Sequence, residues 1–202
     1  MSKPINILNK LRKDSSFQDE KFIELSAPAI NLQLKSFYNC QFVKCNFSEG
    51  DFSESLFSEC LFQSSNLSLS KIINSRMQEV YFSDCKLLGV NFSAINTLIL
   101  EFDFDSCILN ECNFSSLPMK GSAFQNCQIK NADFYGAEIS DSNFKGSDLK
   151  GTLFENTNLT GADFREAKNS SIHPLMNTIK DAKFSMPDAI WLLNALGIIV
   201  EY

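Results

Sequence analysis

The chain has one His, one Trp, five Pro and eight Gly among its 202 residues. Each scarcity removes a class of chemistry. The single His, His173, has no Cys pair beside it, so a zinc site lacks ligands and a Ser or Cys nucleophile lacks a convincing base. No glycine-rich phosphate loop is present. No apolar run approaches the length of a membrane-spanning helix. Met1–Lys13 lacks the continuous apolar core of a secretory leader, so the seven Cys are expected to be reduced, in a cytoplasm. Positive charge is also short. The formal net charge is −6, which opposes direct binding to nucleic acid or an anionic membrane and favours a basic partner surface. The expectation is a non-enzyme with no catalytic residue, cofactor or metal.

What is abundant is Phe, at 19 residues. A Phe or aliphatic residue returns every fifth position, through Leu32, Phe37, Phe42, Phe47, Phe52, Phe57, Phe62, Leu67, Ile72, Met77, Phe82, Leu87 and Phe92. The series slips by two residues, then runs from Ile99 and Phe104 to Leu159 and Phe164. Helices repeat apolar residues three and four apart, and strands two apart. A sustained period of five signals a solenoid.

Two positions before each large residue lies a small one, such as Cys40, Cys45, Ser65, Ala132 or Thr152. Residues two apart on an extended backbone point the same way, so both are expected inside. All seven Cys hold this small position, which makes them buried and inert. The residue just before the large one is often Asn or Asp, a pattern that local turn hydrogen bonds explain better than paired catalytic carboxylates do. From Phe104 to Phe164, Phe fills every second centre. If like stacks on like, each turn holds an even number of repeats. Two repeats cannot enclose a core, so four are expected, giving a square coil of 20 residues. Coils stacked at the strand spacing of about 4.8 Å would give about seven coils and a rod of roughly 33 Å. The fold class is all-β.

Four features interrupt the pattern. Two residues are inserted between Phe92 and Ile99, so Ser93, Ala94, Ile95, Asn96, Thr97 and Leu98 form a bulge or loop at one corner. It is either a tolerated surface insertion or a contact loop on a rigid scaffold. Phe102 and Leu117 are large residues at small positions, and Pro118 is a further departure. At the start, Ile5, Leu8 and Leu11 could line a short helix after Pro4 that caps the open coil. At the end, Asn169–Met186 reads as irregular, with Phe184 as a plug. Pro187 and Gly197 bound a helix, followed by a short strand candidate at Ile198–Val200. This tail is too apolar to lie bare. It caps its own rod, joins a second chain, or does both.

Acidic residues recur two places after the centres. With the slip allowed for, Glu59, Glu79 and Glu101 should stack on one face, with Asp103 and Asp105 close by. The strip either keeps a sheet face soluble or meets a basic groove.

The motif of a small residue, Asn or Asp, Phe or Leu, and two variable residues resembles the pentapeptide repeat family, over roughly Phe17–Phe164. That resemblance implies a right-handed quadrilateral β-helix. It divides the chain into an N-terminal cap (1–16), a β-helix (17–168, interrupted at 93–98) and a C-terminal cap with a dimerisation helix and strand (169–202). Within the family, Cys85–Phe92, Asp148–Thr152, Leu159–Ala162, Phe184–Pro187 and Leu192–Asn194 are similar to the albicidin-resistance protein. Ala195–Val200 is similar to quinolone-resistance relatives. The subgroup protects type II topoisomerases, its rod being thought to occupy the DNA site of gyrase. The resemblance therefore implies DNA gyrase as partner and a homodimer through Ile190, Trp191, Leu192, Leu193, Leu196, Ile198 and Val200. It also makes the 93–98 loop a candidate gyrase contact. A general interaction scaffold with another partner is the alternative. Duplex DNA of the rod's length would carry roughly 20 charges, so mimicry would rest on shape and one locally acidic face.

Overall fold

The computed structural model describes residues 4–201; of Pro4, Ile5 and Asn6 it describes the backbone alone. The chain opens with helix α1 (Pro4–Lys13) and then winds into a four-sided β-helix. Short parallel strands mark two of the sides. They are β1 (Ser16–Gln18), β2 (Lys21–Ile23), β3 (Ser36–Tyr38), β4 (Gln41–Val43), β5 (Leu56–Ser58), β6 (Leu61–Gln63), β7 (Arg76–Ser83), β8 (Leu100–Asp105), β9 (Phe124–Gln125), β10 (Asp163–Phe164) and β11 (Lys183–Phe184). Helix α2 (Asp188–Ala195) follows the last coil.

Register gives the coil length directly. Phe17 pairs with Phe37 and Phe37 with Phe57, 20 residues per coil. The other two sides repeat at the same interval through single bridges, such as Asn46 with Asn66 and Asp133 with Leu153. Phe22, Phe42, Phe62, Phe82, Phe104, Phe124, Phe144, Phe164 and Phe184 form one unbroken stack along the rod, with centroids 4.5–5.4 Å apart. Phe92, Phe114, Phe134 and Phe154 stack on the opposite side. The two columns meet edge to face across the interior, as Phe114 and Phe124 do at 5.5 Å and 85°. Rings thus gain stacked contacts along the axis and edge contacts across it. Eight coil steps at about 4.8 Å make a rod of about 38 Å.

The small inward residues sit at the corners between sides. Cys45, Ser65, Cys85, Cys107, Cys127 and Ser147 form a corner column in which each backbone N–H up to Cys127 donates to the sulfur or hydroxyl of the next coil. All seven Cys are free and buried. Burial pushes the Cys45 thiol up to about 11 and the Cys112 thiol up to about 12.

Most corners turn through a residue of positive φ two places after the centre. Glu49, Glu54, Glu59, Leu69, Asn74 and Asp84 all lie at φ between 53° and 59°. Six glycines share the position, among them Gly136 and Gly146. The Asn or Asp before the centre closes the turn: Asn46 Oδ1 accepts from Ser48 N–H, Asp51 Oδ1 from Ser53 N–H and Asp133 Oδ1 from Tyr135 N–H. Their periodicity is therefore structural.

Both ends are capped. In α1, Leu11 is fully buried on the first coil, and Ile7 and Leu8 pack beside it. Lys35 stands at a small inward position and is itself buried. Its ammonium donates to the carbonyls of Asp14 and Arg12 at the end of α1, at 2.6 and 3.3 Å. At the far end coiling continues past Lys168, since β11 pairs with β10 and Leu159 N–H donates to Thr178. Asn177 there donates from its amide to the carbonyls of Phe154 and His173. After α2 the chain turns through Gly197, φ +77°, with Ile198 N–H donating back to the Leu193 carbonyl. Ile198–Val200 forms no strand.

Candidate functional site

The stacked side chains fill the interior, so function is confined to the outer surface. The largest departure from regular coiling lies at residues 92–105. Phe92–Ala94 makes one turn of 3₁₀ helix, capped by the Asn91 side chain. Ordinary spacing persists to Asn96, whose N–H donates to Ser75. Beyond it, Met77 pairs with Leu100 and Val80 with Phe102, so the register shifts between Asn96 and Leu100 and is readjusted by an irregularity between Met77 and Val80. The sequence expectation put the resumed repeat at Ile99. Instead Ile99 is 51% exposed, while Phe102 and Phe104 turn inward along β8. The reason is that β8 runs extended with period two, so Leu100, opposite Met77, shares the inward face with Phe102 and Phe104, and Ile99 falls on the other face. Phe102 packs against both Phe92 and Phe104, at 5.4 and 5.3 Å.

Of the six residues expected in the loop, Ser93 and Ala94 belong to the 3₁₀ turn and Ile95 is buried at 6%. Thr97 and Leu98 stand out with Ile99, and Leu98 is 86% exposed. Two bonds fix the base of this projection. Asn96 Nδ2 donates to Asn74 Oδ1 at 3.0 Å, and Leu98 N–H donates to Asn96 Oδ1 at 3.0 Å. Leu98 and Ile99 share a groove with Leu34, Glu54, Asn74, Arg76 and Asn96.

The acidic residues separate into two kinds. Glu79, Glu101 and Asp103 line one shallow depression with Tyr81. Glu59 lies one coil below, in a second depression with Asp19, Tyr38 and Asn39. Glu59 and Glu79 are left-handed corner residues, whereas Glu101 is not, because its corner is straightened into β8. Asp103 accepts the Ala123 N–H at 2.7 Å and Asp105 accepts from Asn126 at 3.1 Å. None of the ion pairs among the described residues involves Glu59, Glu79, Glu101, Asp103 or Asp105. From Leu87 to Met119 the chain carries four carboxylates and no Lys, Arg or His. Three of the four, Glu101, Asp103 and Asp105, lie together along β8 and make a local acidic band at the middle of the rod.

At the C-terminal end, Ile190, Leu192 and Val200 are partly buried. Trp191, Leu193, Leu196, Ile198 and Ile199 are exposed, Trp191 at 60% and Ile199 at 85%. Leu175 and Met176 are further exposed apolar residues in the last coil. Among the described residues, no group of three His, Cys, Asp or Glu is arranged to hold a metal, and no helix is long and apolar enough to cross a membrane.

Comparison with solved structures gives the same architecture. A trypsin-treated variant of QnrB1, a plasmid-mediated fluoroquinolone resistance protein, is 21% identical, with a TM-score of 0.56 over 92% of this chain and 97% of that one. Full-length QnrB1 is 19% identical over 91% and 100% of the two chains, with a TM-score of 0.46. HetL, a pentapeptide repeat protein of the cyanobacterium Nostoc involved in heterocyst differentiation regulation, is 16% identical over 86% and 90%, with a TM-score of 0.25. The comparison with curated protein sequences gave no match. The model of the pentapeptide repeat region matches residues 35–103 and again 95–164. With a five-residue period that coils into four stacked sides, and that match over more than half its length, the chain belongs to the pentapeptide repeat family.

Proposed function

We propose that the protein is a non-enzymatic binding rod that engages a type II topoisomerase, DNA gyrase, and shields it from gyrase-directed antibiotics or toxins. The observation that carries this reading is the combination of a filled interior with a mid-rod acidic band and a projecting loop. A rod of this build has only its exterior with which to act. The fold it shares with a fluoroquinolone resistance protein supports the choice of partner, as does the likeness of Cys85–Phe92 and the C-terminal segments to resistance proteins. The proposed contact surface comprises the 93–98 loop, Glu59, Glu79, Glu101, Asp103 and Asp105.

The rod is DNA-like in shape and weakly so in charge. Duplex DNA about 38 Å long carries roughly 22 charges, against a net −6 here. Docking therefore depends on salt less steeply than DNA binding does. The working unit is a homodimer, because Trp191, Leu193, Leu196 and Ile198 would otherwise leave a continuous apolar end in water. The compartment is the cytoplasm, where gyrase resides.

The test is co-purification with gyrase, combined with a supercoiling assay under a gyrase poison. Binding and rescue are expected. Neither binding nor rescue, with recovery of a different partner in a pull-down, replaces this reading with that of a scaffold for another protein. Light scattering at micromolar concentration should give twice the chain mass.

A further inference from the structure

We infer that the Leu98–Ile99 projection is the apolar anchor of the docking surface, and that it fits an apolar socket bordered by Lys or Arg on the partner. This rests on the topoisomerase reading and assigns the energetic roles within it.

Three observations carry the inference. The first is exposure: Leu98 and Ile99 are both held in water, and the exposed Leu34 extends the same apolar lip. Single exposed apolar residues are ordinary, but three lining one groove at the sole insertion of the repeat are not. The second is rigidity. Ile95 and Phe102 are buried on either side of the projection, and Asn96 bonds both Asn74 and the Leu98 N–H. An anchor held in place beforehand loses little freedom on binding. The third is charge complementarity. Immediately after the projection, β8 turns Glu101, Asp103 and Asp105 outward at alternate positions, and no cation occurs from Leu87 to Met119. A socket that receives Leu98 meets Glu54 and the single cation Arg76 within the groove, and the run of carboxylates on β8 beside it. Basic residues at its rim fit, and acidic ones are repelled.

The two parts should act on different rate constants. A central apolar anchor governs dissociation, whereas rim charges govern association and its salt dependence. The experiment measures association and dissociation of the purified full-length protein on immobilised gyrase at several salt concentrations. Three variants are compared with the parent: Leu98→Ser, the triple Glu101→Gln/Asp103→Asn/Asp105→Asn, and Leu153→Ser as an exposed apolar control on another side. Leu98→Ser is expected to speed dissociation about 10-fold or more without altering the salt slope. The triple variant keeps the side-chain acceptors of Asp103 and Asp105, and it is expected to slow association about 3- to 10-fold and flatten the slope. Leu153→Ser is expected to match the parent. If the parent binds and Leu98→Ser dissociates like it, the anchor assignment is overturned and the topoisomerase reading survives. If the parent does not bind gyrase at all, both are overturned.

Discussion

The ring of Phe184 lies on that of Phe164, with centroids 5.1 Å apart and planes within 9°. Phe184 thus ends the axial stack, and it is only partly buried while Phe124, in mid-stack, is fully buried. The two positions should differ in both cost and reach. Phe124→Ala leaves a cavity between Phe104 and Phe144 and is expected to cost about 3–5 kcal/mol. Phe184→Ala removes one stacking partner and is expected to cost roughly 1–2 kcal/mol. Because each coil touches only its neighbours, the terminal change should remove amide protection from residues 169–184 while leaving the central coils protected. Urea unfolding together with hydrogen exchange checks both.

Lys35 ties the other end. Its buried ammonium has two backbone carbonyls, those of Asp14 and Arg12, as hydrogen-bond acceptors. Lys35→Met keeps the apolar stem and removes the charged donor, leaving the end of α1 less satisfied. A charge-assisted hydrogen bond contributes about 1.5–3 kcal/mol, so α1 should fray by that order. The readout is faster exchange over residues 7–14, with protection in the coils beyond Phe57 unchanged. Equal loss along the whole rod would show that the cap is integral to a single cooperative unit.

The period of five made the four-sided coil, its 20-residue turn and the stacked Phe columns legible before any coordinates, because side-chain direction follows directly from spacing. The inward Cys were legible for the same reason. The left-handed corners do not follow from the spacing of the apolar residues, although the glycines signal them. Gly89, Gly121, Gly136, Gly146, Gly151 and Gly161 share one register with the acidic residues. In the sequence Glu59 and Glu79 register as charge, while the backbone shows that they also occupy a strained position. The insertion was found, but its register was not. Leu100, not Ile99, takes the centre opposite Met77, because the chain enters β8 extended and alternate residues up to Phe104 face inward. The continuation of coiling to Phe184 was obscured because Asn169–Asn177 departs from the repeat, while backbone pairing with the coil beneath persists.

Buried thiols should make the fold sensitive to alkali. Cys45 and Cys112 are raised from about 9 to about 11 and about 12, respectively, by burial. Between pH 9 and 11 the unfolded chain has released protons that the native chain still holds, so stability falls as pH rises through that window. Their contribution is fully present below pH 9. The expected slope is on the order of 1 kcal/mol per pH unit for each of these two thiols. Urea midpoints at pH 8 and pH 10.5, compared between the parent and Cys45→Ala/Cys112→Ala, isolate this from lysine and tyrosine titration: the variant should lose less on going alkaline. At pH 8 a thiol reagent should modify none of the seven Cys in the native protein and all of them in denaturant.

The corner positions offer the last prediction. Leu69 sits at φ +59° with its side chain exposed, and its N–H donates to Leu88. A left-handed conformation disfavours Leu by roughly 1–2 kcal/mol, whereas Asn adopts it with less strain. Asn already turns the chain at Asn39, Asn74, Asn126, Asn131 and Asn156. Leu69→Asn keeps the backbone bond and gives up little burial, so it is expected to stabilise by about 0.5–1 kcal/mol. Gly146→Ala is the converse. Gly146 lies at φ +75°, and an added Cβ would stand 2.6 Å from Asn126 Oδ1, while the Asn126 amide is held by Asp105. It should destabilise by about 1–2 kcal/mol. Opposite shifts in urea midpoint at unchanged slope would establish that backbone conformation, with side-chain contacts secondary, sets residue choice at the corners. Shifts of the same sign would refute it.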